Sequence, residues 1–414
     1  MSKQYFKKGL PQLRFLEFKD GPDWSQKKLS DPKVAIFVKE KGKVSSLTLD
    51  TYISTENILP DYQGVVTASK LPPSGSFTLY KNNDVLISNI RPYLKKVWHA
   101  DKVGAASNDI LVIRAGSDVK SLYLLYLLKN DNFIDYMMSS AKGVKMPRGD
   151  IESIRNYPVF VPEREEQTKI AGCLSSLDDV ITTNNKKLDS LKLHKKGLLQ
   201  KLFTAEGKDI PELRFDGFEG EWEEVELRKL GDLISGLTYS PDDVRASGLL
   251  VLRSSNVQNG KIVYEDNVFV EPNIKGANIS EPDDILICVR NGSKALIGKN
   301  ALIPQNVPLS THGAFMTIFR SKYAQFTFQL FQTNAYQKQV DADLGATINS
   351  INGKQLLKYK FKIPRSNDEK EKIVKCLSSL DDLINAQTDK IEVLKEYKKG
   401  LMQQLFPKIK ESIA

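Results

Sequence analysis

The sequence predicts an α+β protein made of two copies of one unit, each with a globular domain and a long helix, the two helices packing as an antiparallel coiled coil. Three observations predict this. The heptapeptide CLSSLDD occurs at residues 173–179 and again at 376–382; extended outward, it becomes two 39-residue segments, 165–203 and 368–406, that align without a gap and share 21 identities. Apolar residues in both segments recur with a 3.5-residue period, the period of a supercoiled seam rather than of a lone surface helix. Short β-type runs between turn signals fill the stretches before each segment. An internal repeat of about 200 residues follows.

The first unit opens with LPQLRFLEFKDGPDW, ending at Trp24, which is similar to IPELRFDGFEGEW, ending at Trp222 in the second. Residues 20–162 then supply the strand candidates VAIFV, VLISNI and DILVIR, a helical stretch at 121–141 and the extended NYPVFVP. The first long helix has its seam at Ile170, Leu174, Leu177, Ile181, Asn184, Leu188, Leu191, Leu198 and Leu202, with Asn184 and Lys195 as polar gaps. Residues 218–364 repeat the plan with LLVLR, KIVY, DILICV and AFMTIFR, a helical stretch at 323–344 and YKFKIP. The second helix carries Ile373, Leu377, Leu380, Ile384, Gln387, Ile391, Leu394, Leu401 and Leu405, with Lys398 in the gap. Pro162, Pro364 and Pro407 lie just outside the helices, where proline is tolerated. Asn184 and Gln387 are the midpoints of their segments, so an antiparallel pair would set these amides face to face and penalise slipped registers. A parallel pair would align them too; the connectivity of two units related by a closed two-fold favours antiparallel. Cys173, Val180 and Leu199, with Cys376, Leu383 and Met402, widen the apolar face beyond what two helices cover, which suggests helices from a partner.

At 414 residues and 41% hydrophobic content, the chain can bury more than one core. No run approaches the roughly 18–20 apolar residues of a membrane span, and the start lacks the apolar stretch of a signal peptide. Three scattered cysteines form neither a disulfide framework nor a metal motif, so a reduced cytoplasmic protein is expected. The net charge of +9 fits a Lys-rich solvated surface or a polyanion partner, with nucleic acid the first candidate, and does not decide between them. Catalytic signals are weak. GSKALIGKN (292–300) has five residues where a phosphate loop needs four, and it ends in Asn. His99, His194 and His312 have no ligand spacing, and the PDD tripeptides at 241–243 and 282–284 lack the rest of a nuclease site. Base reading is a better use of the polar residues at strand ends and loops. Arg91, Arg114 and Arg148 with Asn57, Asn89 and Asn108 are the candidates in the first domain; Arg253, Arg290 and Arg320 with Asn256, Asn291 and Thr311 are those in the second. Arg pairs bidentately with guanine and Asn with adenine, while Lys95, Lys96 and Lys145 suit phosphates. A salt bridge or a turn is the competing role for each.

The segments EEQTKIAGCLSSLDD and DEKEKIVKCLSSLDD, the helix ends KKGLLQKLF and KKGLMQQLF, and LRSSNVQNGKI at 252–262 resemble the specificity subunits of type I restriction–modification systems. The resemblance spans essentially the whole chain, although the first domain departs from it, with YISTENILPDYQG and no NGKI. It implies target-recognition domains at 1–163 and 205–366, a spacer helix at 164–204, and a second spacer helix with a C-terminal tail at 367–414. It implies a non-catalytic role: each domain reads half of a split, asymmetric site on double-stranded DNA, and the helices set the gap. It also implies docking of two methyltransferase subunits that methylate adenine N6, joined by restriction–translocase subunits. S-adenosylmethionine, ATP and Mg would belong to those partners, with no cofactor or metal in this chain. The alternatives are a stand-alone DNA-binding scaffold and a nuclease or methyltransferase in its own right.

Overall fold

The computed structural model describes residues 9–43, 47–344 and 349–408. Contacts divide the chain into two units, Met1–Asn185 with Asp389–Ala414, and Lys186–Thr388.

In the first unit, β1 (Ser25–Lys28), β2 (Ala35–Phe37), β3 (Lys41–Lys43), β4 (Tyr52–Ile53), β5 (Ser76–Tyr80), β6 (Val85–Ser88), β7 (Val97–His99), β8 (Gly104–Ala106) and β9 (Ile110–Ala115) come first. Three short helices follow, α1 (Ser121–Lys129), α2 (Asp131–Ser139) and α3 (Ile151–Arg155), and then β10 (Pro158–Val161) leads into α4 (Arg164–Leu202). One antiparallel sheet has the order β2-β9-β6-β7. A second has the order β3-β5-β8-β4, with β4 parallel to β8, and β1 pairs with β10. Strand β6 is buried along its whole length, which explains its unbroken apolar run. Its alternate residues serve two cores: Val85 and Ile87 pack with Tyr123, Leu124 and Met137, and Leu86 packs with Tyr80, Trp98 and Val112.

The second unit repeats the plan. Its strands are β11 (Glu223–Glu226), β12 (Gly231–Ser235), β13 (Val244–Arg245), β14 (Leu249–Leu252), β15 (Val257–Gln258), β16 (Lys261–Ile262), β17 (Val268–Val270), β18 (Ile285–Cys288), β19 (Asn300–Leu302), β20 (Ser310–His312) and β21 (Met316–Ser321). Helices α5 (Ala324–Leu330), α6 (Asn334–Asp343) and α7 (Gly353–Leu356), strand β22 (Lys360–Ile363) and helix α8 (Asn367–Leu405) complete it. The sheet β12-β21-β18-β19 matches the first unit strand for strand; the sheet β13-β17-β14-β20 keeps the parallel pair, now β14 with β20, but exchanges its two members, so that β20 is at the edge where β4 was. The added β15–β16 hairpin carries the NGKI segment.

Each helical stretch expected before the closing strand is in fact two helices. Asn130 ends α1 and caps α2 by accepting from the Asn132 amide at 2.9 Å; Thr333 caps α6 by accepting from the Tyr336 amide. A side-chain acceptor that satisfies a new helix start favours a break over continuation.

Helices α4 and α8 each contribute one half to each unit. In the first unit Ile170 and Leu174 share a core with Met402, Leu405 and Phe406, and Asp178 pairs with Lys398. In the second, Leu199, Leu202 and Phe203 share a core with Ile373 and Leu377, and Lys195 lies 2.7 Å from Asp381. As α4 advances, α8 recedes, so the packing is antiparallel in both. Every expected seam residue is buried or half-buried, Asn184 and Gln387 included. The Asn184 amide donates to the Val180 carbonyl of its own helix. The wider apolar face is smaller than the sequence suggests, because Leu199 and Met402 are covered by their own units; Val180 and Leu383 stay 44% and 53% exposed.

A buried anchor ties each domain to its helix. Glu166, on the first turn of α4, accepts two hydrogen bonds from Arg14 at 2.8 Å and one from Trp24 at 3.1 Å. Glu369 on α8 does the same with Arg214 and Trp222. The opening LRF and Trp motifs therefore recur because they hold the domain on the helix.

Candidate nucleic-acid interface

In each unit three backbone segments meet beyond the end of the central strand. In the first, the Asn89 amide donates to the Asp109 carbonyl, Arg91 to Pro147, and Gly149 back to Asn89. Ile90 bridges Arg148, so the chain after β6, the chain before β9 and the loop before α3 form one edge. Arg91 sits there with φ at 50°, a left-handed conformation uncommon outside glycine, held by its backbone bond to Pro147 although the following Pro92 favours extended backbone. In the second unit Val289 and Arg290 donate to Phe315, Asn291 to Asn349, and Arg290 bridges Ser350.

The candidate readers fall into two groups. Those at the edge have capacity to spare. Arg148 is 55% exposed with one nitrogen on Asp109 at 2.7 Å, and Lys145 is exposed. Among the described residues, the buried Arg91 Nε and Asn89 Oδ1 have no partner, although the Asn89 amide donates to Gly149. In the second unit Arg290 stacks over Phe315 at 5.7 Å, and Phe315 is itself 57% exposed. Asn291 donates to Ser254 and caps Ser293. Arg253 bonds Asp266, while its Nε has no partner among the described residues.

The other candidates already have partners inside their own domain, the competing role for each. Arg114 grips Asp84 through two nitrogens at 2.7 and 2.8 Å, and Arg320 grips Asp284 in the same way. Both aspartates are 1% exposed and would be costly to leave unpaired. Asn57 accepts from the amide and hydroxyl of Ser54, closing a turn; Asn256 does the equivalent for Arg253 and also donates to Val263. Thr311 is fully buried and donates to Asn278. Lys95 pairs with Asp131, Lys96 caps the Thr55 carbonyl, and Asn108 accepts from Lys41. Burial lowers the pKa of Lys96.

Asp109 and Phe315, which take the equivalent backbone bonds in the two units, did not stand out in the sequence; their signal is their position just before the last sheet strand. The PDD segments have structural roles: Asp243 caps Ser240, and Asp284 holds Arg320. Among the described residues no group of three His, Cys, Asp or Glu side chains could hold a metal ion, and no helix is long and apolar enough to cross a membrane.

The family model for the type I restriction modification DNA specificity domain matches twice, over residues 26–193 and 219–396. The chain belongs to this family. As a specificity subunit with two target-recognition domains, it is a non-catalytic, DNA-reading component. It is 26% identical over 409 residues to the type I restriction enzyme MjaVIII specificity subunit of Methanocaldococcus jannaschii, covering 92% of each chain. It is 27% identical over 195 residues to the EcoKI specificity subunit of Escherichia coli, 44% of this chain and 41% of that one. The fold matches the crystal structure of the type I S subunit from M. genitalium, with a TM-score of 0.60, 16% identity and coverage of 97% and 100%. A chain from a study of complex assembly in the type I R-M system gives 0.57 at 18% identity, covering 94% and 99%.

Proposed function

We propose that each target-recognition domain reads one half of a bipartite, asymmetric DNA site, while α4 and α8 set the gap and dock two methyltransferase subunits that methylate adenine N6. One observation supports this above the others: the two units share a frame and differ at the edge. Asp84–Arg114 and Asp284–Arg320, the Asn57 and Asn256 turns, and the Arg–Glu–Trp anchors are duplicated. Asn89, Arg91, Asp109 and Arg148 are replaced at matching places by Val289, Asn291, Phe315 and Ser350. Duplicated scaffold with divergent hydrogen-bonding edges is what two different half-sites require.

Val180 and Leu383 occupy matching positions on α4 and α8 and are both exposed, which supports two copies of one helical partner per chain. Restriction–translocase subunits complete the cytoplasmic assembly, and S-adenosylmethionine, ATP and Mg bind in the partners. Exchanging residues 218–364 for the corresponding domain of a relative and sequencing the methylome tests the reading. One half-site should change and the other persist; a change in both, or in neither, overturns it. Incubating the chain with DNA and cofactor, with and without methyltransferase subunits, separates a recognition subunit from an enzyme acting alone.

A further inference from the structure

The loop before α3 places two apolar side chains in water at the tip of a fixed, basic support. Val144 is fully exposed and Met146 is 53% exposed. Their exposure is not the result of a loose loop. Lys142 and Arg148 close it with paired backbone bonds of 2.9 and 3.0 Å, Pro147 receives the Arg91 amide at 2.8 Å, and the Asn89 side chain donates to Gly149 at 3.1 Å. At Gly149 an added Cβ would lie 2.7 Å from Asn89 Oδ1, so only glycine allows this approach. Below, Asp150 caps α3 and binds Lys142 at 3.0 Å. Lys142, Lys145 and Arg148 flank the tip, and among the described residues Lys145 forms no ion pair.

Cations on the stem and methyl groups at the tip complement one surface in particular. A DNA groove offers phosphates at its rims and, on the major-groove floor, the 5-methyl group of thymine, the one apolar mark by which a base pair is distinguished there. We propose that Val144 and Met146 are specificity-determining residues of the first domain, reading a thymine methyl by van der Waals contact beside the hydrogen-bonding Arg91 and Arg148. This rests on the reading that the first domain contacts one half-site. If each half-site holds the adenine that is methylated, each offers at least one thymine.

The test uses the complex of this chain with its methyltransferase subunits and a duplex carrying its own site. Each thymine of the first half-site is replaced in turn by deoxyuridine, which lacks only the methyl group. Binding should weaken about fourfold at one position, the worth of one buried methyl. The V144S/M146S double variant should bind the thymine duplex as weakly as the deoxyuridine one, whereas V144I, which keeps the tip apolar, should discriminate as the wild type does. Wild-type binding that ignores every replacement overturns the proposal, as does a double variant that still discriminates. A double variant that no longer assembles with the methyltransferase, judged by native mass, would reassign the tip to a protein contact and also overturn it. Failure of the underlying reading is distinguishable: exchanging the whole first domain would then leave its half-site unchanged.

Discussion

Arg14→Ala should destabilise the first unit and leave the second untouched. Arg14 is 10% exposed and Glu166 1%, so the substitution strands a carboxylate that water scarcely reaches. Removing one member of a buried pair costs about 3–5 kcal/mol. Trp24 still donates to Glu166, and the truncated arginine opens a path for solvent at the rim, so the lower end, about 3 kcal/mol, is expected. That is a large part of the roughly 5–15 kcal/mol stability of a domain. Arg14→Lys keeps the charge but loses the fork of two parallel bonds, and about half the loss should return. Hydrogen exchange in urea reads each unit through its own central strand, residues 85–88 and 285–288. Arg14→Ala should lower the midpoint of the first peptide alone, and Arg214→Ala that of the second alone. A loss below about 1 kcal/mol, within the range of a surface pair, would refute the anchor. Equal shifts in both peptides would refute the independence of the two copies.

Inserting one heptad into α4 between Asn184 and Lys187, and one into α8 between Gln387 and Lys390, keeps the seam in phase and lengthens each helix by about 10 Å. Methylome sequencing should show the same half-site bases with a gap about three base pairs longer, and an unchanged gap would remove the spacer role. Arg148→Ala should relax one base position at a cost of about 1–3 kcal/mol without loss of stability, whereas Arg114→Ala should unfold its domain more readily and blur the whole half-site. Lys129 lies between the rings of Tyr62 and Tyr126, and burial lowers its pKa to about 8, against opposing help from Asp178. A folded pKa below the unfolded 10.5 is a penalty, complete below pH 8 and relieved as pH rises to 10.5, so this group makes the first unit more stable across that window. Lys129→Met should stabilise the unit at pH 7 by about 1–3 kcal/mol and flatten its pH dependence above 8, both measurable by thermal melts in buffers of matched ionic strength.

The helices and the repeat were legible because periodicity and identity are written along the chain. Ile170, Leu174, Ile373 and Leu377 declare a seam by spacing alone, and all four are buried. The antiparallel direction needed only connectivity. The readers were less legible, since Arg114 and Arg148 are the same residue type and differ only in what lies across space: a buried Asp84 for one, a shared and exposed Asp109 for the other. Yet the repeat held an unused clue. Two domains that read different bases should keep in common what folds them, and Arg114 with Arg320, and Asn57 with Asn256, make the same bonds in both units. The helix breaks at Asn130 and Thr333 were visible as capping residues and were outweighed by the apolar pattern around them.

The division of α4 and α8 between the units has a consequence for synthesis. The first unit needs Met402, Leu405 and Phe406 to fill its core, with Phe406 5.5 Å from Tyr123, and these are made only after the whole of the second unit. Its other part, through Asn185, leaves the ribosome while all of 186–388 is still to come, about 10–40 s of elongation. The second unit is contiguous and can close as soon as α8 reaches its midpoint. The half of the protein that is translated first is therefore the half that is finished last, and in the interval it exposes the apolar surface that the end of α8 will cover. A chain truncated before residue 400 and released should hold a folded second unit and an open first one, the state in which a chaperone would find its longest-lived client surface.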